Sequence, residues 1–377
     1  MRTLSRLLYA DSERSSDMLY FGGFHAPDPF IAMEVSGRKI AIVNALEYGR
    51  ARKEGRFDEV LSLERIQAEA TREKPKAGGG VAQVIAWVAR ELKQRRFVIA
   101  DDFPAGLARS LERLGISLEI ASGAMFPARE IKTTAEADLI REGNRCAALG
   151  IAAAERLLRA SRIKAGRLIH KGKPLTSEHL KFAIEVACLE AGALSLNTIA
   201  AGGDQACDPH CTGQGPLRAN ELIIVDVFPR VQSSGYHGDM TRTFLRGRAS
   251  DAQSALVSAV RSAQMGALKA VTAGVNGRDV HRGVVAAFER LGYATERGPS
   301  GATGFFHGTG HGLGLAVHEL PRLSGAVDSI LQKGAVVTVE PGLYYPGLGA
   351  CRIEDVVQVT ASKPRMLSDY PYVWELR

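Results

Sequence analysis

The sequence contains few cysteines and no long apolar run. Of its 377 residues, 5 are cysteines, an odd number scattered along the chain. Scattered thiols without an even count are typical of a reduced protein, so we expect a cytoplasmic protein without a disulfide framework. Residues 1–17 lack the continuous apolar stretch of a signal peptide, and no run reaches the roughly 18 apolar residues of a membrane span. We therefore expect no membrane association.

The sequence also lacks a basic block interleaved with aromatic residues. Lys and Arg number 48 against 41 Asp and Glu, which gives a net charge of +7, and aromatic residues make up 6%. A basic balance can indicate nucleic-acid binding. Here the cations are dispersed among the acids, which is typical of a solvated surface. We expect no nucleic-acid partner, and steeply salt-dependent binding to DNA would contradict this.

A chain of this length suits two domains. In residues 1–130, strand-like runs alternate with segments that keep a helical spacing of apolar residues, which predicts a layered α/β domain. The strand-like runs are residues 39–43, 96–100 and 117–121, and the helical segments are residues 81–92 and 107–114.

In residues 131–377, helices precede or separate groups of strand-like runs, which predicts an α+β domain. Thr133 and Glu136 form a capping-box pattern that opens a long helix ending near residue 160. The other predicted helices are 177–191, 251–272 and 278–291, and the strand-like runs are 221–227, 235–244, 334–340 and 351–360.

Three of the nine histidines, His307, His311 and His318, lie within twelve residues among alternating glycines. This alternation does not match a phosphate-binding loop. In an extended segment His307, Thr309 and His311 would share one face, and clustered imidazoles favour a metal or proton-transfer site. A glycine-rich loop with incidental histidines is the open alternative.

Four acids lie in or at the ends of apolar strand-like runs: Asp226, Asp239, Glu340 and Glu354. A buried carboxylate is rare unless it is paired or bound to metal. Each acid alone could be a strand-end residue in water. Together, four carboxylates would be neutralised by two divalent cations, and one imidazole would complete the set, so a dinuclear site is the simplest hypothesis. Asp355 has the opposite pleat parity to Glu354 and is not expected to join it.

The motifs "GDMTRTF", "HGTGHGLGLAVHE", "VTVEPGLYY" and "RIEDVV" resemble those of pita-bread-fold metallopeptidases of the Xaa-Pro aminopeptidase and prolidase type. The resemblance covers residues 133–365. The segments "LYFGGF" and "REIKTTAEADLIR" make the first third similar to the creatinase-type N-domain of these enzymes. The resemblance implies an α+β pita-bread catalytic domain at 131–377, preceded by a smaller α/β creatinase-type domain at 1–130.

The resemblance also implies a ligand set for two divalent metal ions, with manganese expected and cobalt, zinc or iron as alternatives. Asp239 and Glu354 would bridge the ions, Asp226 would bind one, and His311 and Glu340 the other. Two ions can share a hydroxide and polarise a scissile carbonyl. Glu340 would be the general base. The implied ligands are Asp226, Asp239, His311, Glu340 and Glu354.

Outside the ligand set, the resemblance places His210, His307 and His318 against the substrate. Arg352 and Thr241 are expected to orient the carboxylate ligands without binding the metal themselves. Tyr236 and Tyr344 are expected to be packing residues. His210 could also be an incidental loop histidine. Cys207 and Cys211, which flank it, leave a thiolate metal site as a weaker alternative.

The sequence departs from the family pattern after Asp226. Phe228 stands where the family has a glycine, and twelve residues rather than about ten separate Asp226 from Asp239. A two-residue hairpin extension would accommodate this, with consequences for the loop near residues 230–234 and for substrate fit.

The function that the resemblance implies is hydrolysis of an N-terminal Xaa-Pro bond in proline-containing peptides by an aminopeptidase of the P type. An Xaa-Pro dipeptidase (prolidase) shares these motifs. A non-catalytic pita-bread module that binds protein is an alternative of another class. The N-domain disfavours methionine aminopeptidase and the complete ligand set disfavours creatinase. The family further implies a homodimer.

Overall fold

The structure, a computed structural model, describes residues 5–73, 79–299 and 301–377. The chain divides into two compact units, Met1–Arg129 and Glu130–Arg377. Across the described residues, no helix has both the length and the apolar character needed to cross a membrane.

The first unit is built on a six-stranded sheet with the strand order β4-β3-β2-β1-β5-β6. The strands are β1 Arg6–Ala10, β2 Phe30–Val35, β3 Arg38–Val43, β4 Glu59–Ser62, β5 Arg96–Ile99 and β6 Ser117–Ile120. The helices are α1 Ser16–Gly22, α2 Ala45–Glu54, α3 Leu63–Glu73, α4 Val81–Glu91 and α5 Ala105–Arg113.

Alternate residues of these strands enter two separate cores, as expected for a sheet covered on both faces. Ile31 and Met33 of β2 pack in one core with α4, whereas Phe30 and Ala32 pack in the other with α1. The layered α/β prediction is therefore confirmed. The sheet is mixed rather than simply alternating, because β1, β2 and β3 pair antiparallel before the parallel strands β4, β5 and β6.

The second unit contains four long helices. They are α6 Thr134–Ala160, α7 Ser177–Glu190, α8 Asp251–Ala270 and α9 Gly277–Arg290, and a short 3-10 helix spans Gly203–Cys207. Thr133 and Glu136 form the predicted capping box of α6: the Glu136 backbone N–H donates to Thr133 Oγ1 and the Thr133 backbone N–H donates to Glu136 Oε2.

The strands of the second unit are β7 Arg162–Lys164, β8 Arg167–His170, β9 Lys173–Pro174, β10 Ala193–Leu194, β11 Ile199–Gly202, β12 Leu222–Val227, β13 Arg230–Val231, β14 Met240–Arg246, β15 Glu296–Gly298, β16 Gly301–Thr303, β17 Gly310–Gly312, β18 Glu319–Leu323, β19 Val336–Val339, β20 Gly342–Tyr345, β21 Gly349–Arg352, β22 Asp355–Gln358, β23 Arg365–Met366 and β24 Glu375–Leu376. Two sheets position the site, with orders β11-β12-β14-β24 and β18-β17-β19-β22-β23.

Each sheet is covered by one helix pair. Apolar residues of α6 and α7 pack with β12 and β14 in one core, and those of α8 and α9 pack with β19 and β22 in another. Two helix-and-sheet halves therefore build the predicted α+β unit.

Two predicted strands are shorter than the sequence indicated. The run at 235–244 enters its sheet only at Met240, and the run at 351–360 is interrupted between Arg352 and Asp355. Both irregular positions carry an acid, Asp239 and Glu354.

Candidate metal centre

The five candidate ligands come from both sheets of the second unit. Asp226 lies on β12 and His311 on β17, Asp239 precedes β14, Glu340 follows β19, and Glu354 precedes β22. All five line one cavity of about 930 Å³. The β12–β14 register pairs Asp226 with Thr241 and Val227 with Met240, so the longer connection lies beyond the ladder and does not shift either aspartate.

Three of the five candidate ligands lie close enough together to share one cation. One donor atom each from Asp239, His311 and Glu354 lies within 4.8 Å of the others, and these three residues are buried. His311 Nε2 is 3.2 Å from Glu340 Oε1 and 3.8 Å from Asp239 Oδ2. Four carboxylates and one imidazole suit a divalent cation with borderline ligand preference.

Asp226 and Glu354 are each held by a neighbour that leaves one carboxylate oxygen open. Arg352 Nη2 donates to Asp226 Oδ2 over 2.6 Å, and Thr241 Oγ1 donates to Glu354 Oε2 over 2.8 Å. Among the described residues, Asp226 Oδ1 and Glu354 Oε1 are buried without a hydrogen-bond partner. A buried oxygen with no donor is costly, so both atoms fit metal ligation.

Burial and mutual repulsion raise the pKa values of two of these acids, and a bound cation would relieve both effects. Burial, followed by the charge of Asp226, raises the pKa of Asp239 well above its ordinary value. Burial, followed by the charges of Asp239 and Glu340, raises the pKa of Glu354 in the same direction. These carboxylates are therefore poorly neutralised by the protein alone, and the donor set fits divalent metal ions.

His311 and Glu340 form the oppositely charged part of the centre. Burial lowers the pKa of His311, but the hydrogen bond and charge of Glu340 outweigh it and raise this pKa to about 9. Burial raises the pKa of Glu340, but the hydrogen bond and charge of His311 outweigh it and lower this pKa to about 2. His311 Nδ1 donates to the Gly312 carbonyl, which leaves Nε2 directed at the acids.

His307 lies beside the ligands but both its ring nitrogens are occupied. Nδ1 donates to the Gly308 carbonyl over 2.7 Å, and Nε2 accepts from Tyr344 Oη over 2.9 Å, while Arg352 Nη1 donates to the same hydroxyl. Burial lowers the pKa of His307 to about 4 and raises that of Tyr344 to about 12, so both are neutral. Tyr344 was expected only to pack, and the structure corrects this.

The expected shared face of His307, Thr309 and His311 is wrong for Thr309. This residue is buried, and its Oγ1 lies 3.0 Å from Nδ1 of His281 on α9. The strand runs only from Gly310 to Gly312, so regular alternation does not extend back through Thr309.

His318 and His210 both line the cavity without joining the ligand cluster. The His318 ring lies edge-to-face on His311 with centroids 4.5 Å apart. Burial, then the charges of His311 and Arg322, lower the pKa of His318 to about 4. His210 is exposed, and Cys207 and Cys211 are absent from the cavity lining. Burial raises the pKa of Cys207 to about 11, which disfavours a thiolate site.

The comparison that decides the family covers the segment carrying all five ligands. Residues 138–361 match metallopeptidase family M24. The chain belongs to this family. The resemblance to pita-bread metallopeptidases is therefore confirmed, and the M24 assignment accounts for acids and a histidine gathered around one buried centre.

Two curated relatives match about half of this chain. A putative dipeptidase, YkvY, of Bacillus subtilis is 35% identical over 179 residues, which are 47% of this chain and 47% of the relative. An Xaa-Pro dipeptidase of Pyrococcus furiosus is 30% identical over 175 residues, 46% of this chain and 47% of the relative. The chain thus spans about half the length of the curated relatives it matches.

Solved structures show the same fold over almost the whole chain. An Xaa-Pro dipeptidase from Bacillus anthracis superposes with a TM-score of 0.82 at 23% identity, covering 98% of this chain and 94% of that one. An X-Pro aminopeptidase from Thermotoga maritima gives 0.81 at 23% identity, covering 99% and 97%. The expected α+β pita-bread fold with an N-domain is confirmed.

Sequence reasoning missed several residues of this M24 centre. The Asn144 side chain, buried inside α6, accepts from the Asp239 backbone N–H over 3.1 Å, and Thr338 Oγ1 donates to Glu340 Oε1 over 3.3 Å. The pair Gly143-Asn144 was a usable clue, because both residues are poor helix formers in the middle of a helix. Arg322 was also missed, because its place in the cavity depends on its pairing with His311 across β17 and β18.

Proposed function

We propose that the protein is a metal-dependent exopeptidase that hydrolyses an Xaa-Pro peptide bond. The observation that carries the proposal is the convergence of four acids and His311 on one 930 Å³ cavity. The named activities of the relatives, Xaa-Pro dipeptidase and X-Pro aminopeptidase, support proline-containing peptides as substrates.

The five residues Asp226, Asp239, His311, Glu340 and Glu354 would hold two divalent ions, which we propose to be manganese. When bound, such ions supply a water of lowered pKa, close to about 7, and polarise the scissile carbonyl. Glu340 is the candidate base that moves a proton from the nucleophile to the leaving imino nitrogen. Arg352 and Thr241 keep Asp226 and Glu354 oriented for this.

His318 and His210 are proposed to contact the substrate, because both imidazoles line the cavity outside the ligand cluster. Each ring nitrogen of His307 already has a protein partner. His307 would therefore contact the substrate only after its hydrogen bond from the Tyr344 hydroxyl is broken. We therefore assign the direct contacts to His318 first.

The aminopeptidase specificity is the first candidate from the sequence, and one observation favours the dipeptidase. Arg322 lines the cavity, and its guanidinium is a positive charge close enough to lower the pKa of His318. A dipeptide ends in a carboxylate immediately after proline, which this guanidinium would bind with a charge-assisted hydrogen bond.

The test offers metal-loaded protein Ala-Pro and Ala-Pro-Ala in parallel, with a chelated control. A dipeptidase cleaves the first preferentially and an aminopeptidase the second. In the dipeptidase case Arg322→Ala lowers kcat/KM for Ala-Pro by roughly 10- to 100-fold, the cost of about 1.5–3 kcal/mol for a hydrogen bond to a charge. No cleavage of either peptide with manganese, cobalt or zinc would leave the non-catalytic binding module as the better description.

The homodimer, the cytoplasmic location and manganese as the native metal stay predictions. Light scattering of the purified protein tests the first. Metal analysis of protein purified without added metal tests the last.

A further inference from the structure

Phe228 occupies the position where the family pattern has glycine, and its side chain lines the cavity. Strand β12 ends at Val227, one residue before it. Residues two apart on a strand face the same side, so Phe228 shares the face of the ligand Asp226.

The pairing of β12 places Phe228 beside the second aspartate as well. Strand β14 pairs Val227 with Met240, so the next step of the same register sets Phe228 opposite Asp239. On the other side, β11 pairs Asp226 with Ile199, and Asn197 lies two residues before Ile199, outside the strand. The β12–β14 register continues to an isolated bridge between Arg230 and His237, which places Phe228 next to Asp239, and both Phe228 and Asn197 line the cavity that contains the candidate ligands.

Asn197, on the segment before β11, is the second residue of this part of the lining. We call the part of the cavity lining formed by Phe228 and Asn197 the Phe228 wall. Asn197 lines the cavity and has a left-handed backbone with φ of 59°. The segment around it is fixed, since Ser195 Oγ and Thr198 Oγ1 are hydrogen-bonded over 2.9 Å. Strand β13, which lies in the longer connection between the two aspartates, pairs with β10 and so holds this segment in place. The two departures from the family pattern, Phe228 in place of glycine and the longer connection between Asp226 and Asp239, thus both affect the Phe228 wall.

The position of the Phe228 wall determines which residue of a bound peptide contacts it. In Xaa-Pro hydrolysis the scissile carbonyl belongs to Xaa and must lie at the ligand cluster. The side chain of Xaa is attached to the Cα that is bonded to this carbonyl carbon. It therefore lies against residues that flank the ligands. A benzyl group at position 228 takes up space that a glycine leaves open.

We propose that Phe228 and Asn197 bound the subsite for the residue before proline, and that Phe228 restricts this subsite to small side chains such as Gly, Ala and Ser. The proposal rests on the Xaa-Pro peptidase function. It names the substrate class within that function: peptides with a small residue ahead of proline.

The test compares kcat/KM for Ala-Pro and Leu-Pro, extended by one residue if the tripeptide is preferred. The wild type should favour Ala over Leu, and Phe228→Ala should shift this ratio toward Leu by at least about 10-fold, the range expected for opening a hydrophobic pocket. Phe228→Leu should give a smaller shift. Asn197→Gly, which keeps the left-handed backbone, should shift the ratio in the same direction.

The matched control is Val327→Ala, which removes a side chain from another part of the cavity lining and should leave the Ala to Leu ratio unchanged. A second readout is calorimetric binding of the uncleavable reduced-amide analogues of Ala-Pro and Leu-Pro. Their affinity ratio should shift in Phe228→Ala as the kinetic ratio does.

An unchanged ratio in folded Phe228→Ala and Asn197→Gly, in both kinetics and binding, overturns the subsite proposal while the peptidase function stands. If Phe228→Ala does not fold, Phe228→Leu and Asn197→Gly decide. Failure of the wild type to cleave any Xaa-Pro peptide instead overturns the function itself.

Discussion

Asp239 and Glu354 are the carboxylates that depend most on a bound cation, because both are buried and both repel neighbouring acids. Replacing either with its amide removes a negative charge and a ligand oxygen while keeping the shape. At the scale of single residues, the centre is therefore a balance between desolvated acids and the cations that neutralise them.

We expect Asp239→Asn and Glu354→Gln to abolish peptidase activity and to weaken metal binding by more than about 100-fold, beyond the 10- to 100-fold typical of losing a supporting residue. The metal-free variants should be at least as stable as the metal-free wild type, because a neutral amide costs less to bury. Metal titration and thermal unfolding measure these effects. Glu296→Gln, at an exposed glutamate, is the control, and near-normal turnover in both variants would refute the ligand assignment.

Metal affinity should rise with pH. The pKa values of Asp239 and Glu354 are raised and that of His311 is about 9, so in the metal-free protein these groups hold protons to higher pH than usual. A cation must displace those protons, so its affinity increases with pH until the pKa of His311 is passed near 9. Calorimetry in buffers of different ionisation enthalpy counts the protons released, and a flat affinity over this range would contradict the expectation.

His318→Ala should lower kcat while sparing metal content. Its ring packs edge-to-face on His311 but lies outside the ligand cluster. A loss of roughly 10²- to 10⁴-fold is typical when a group that transfers a proton or stabilises charge is removed. Steady-state kinetics and metal analysis on the same preparation separate the two roles, since a metal-depleted variant would make His318 a ligand.

At the scale of elements, close backbone approach limits which residues β17 can contain. A Cβ at Gly310 would lie 2.0 Å from the Thr338 carbonyl oxygen, so the strand that carries His311 has room only for glycine there. The alternating glycines of the histidine segment are thus explained at this position by packing against β19, not by a ligand.

Gly310→Ala should therefore destabilise the protein by about 2 kcal/mol or more, because backbone atoms must move to relieve the overlap. Gly266→Ala on α8 is the matched control: no atom lies within 4 Å of its Cβ position, and a helix gains roughly 0.5–1 kcal/mol from this change. Denaturant unfolding of both variants gives the comparison. Equal stabilities would mean that β17 is not packed as closely as described.

At the scale of the whole molecule, all five candidate ligands belong to the unit Glu130–Arg377. They come from both sheets that form the site, so a cation bound by them would crosslink strands that are distant in the sequence. Binding to the folded state alone adds stability in proportion to the logarithm of metal concentration.

We expect saturating metal, at 100 times its dissociation constant, to raise the free energy of unfolding of this unit by about 2.7 kcal/mol. Amide hydrogen exchange should slow in β12, β14, β17, β19 and β22, and the sheet β1 to β6 of the other unit should exchange as before. Chelation should reverse the effect. Equal protection of both units would contradict a centre confined to the second.

Motifs and local patterns in the sequence were enough to predict the family and most of the long helices, and to propose the candidate ligands. Amphipathic spacing and caps are local properties, which is why α6 with its capping box at Thr133 could be predicted before the structure. The acids could be predicted because a carboxylate inside an apolar strand is costly wherever the strand goes. The parity of Asp355 was equally local: its side chain pairs with Arg242, not with the ligands.

The residues that support the centre and shape the cavity became apparent only in the folded structure. The hydroxyl of Tyr344 reaches His307, Asn144 holds Asp239 from inside a helix, and Arg322 enters the cavity through its partner strand. These contacts join residues 37 to 95 positions apart or depend on strand register. Strand register and close packing depend on many long-range contacts together, and these contacts cannot be predicted from a local sequence pattern.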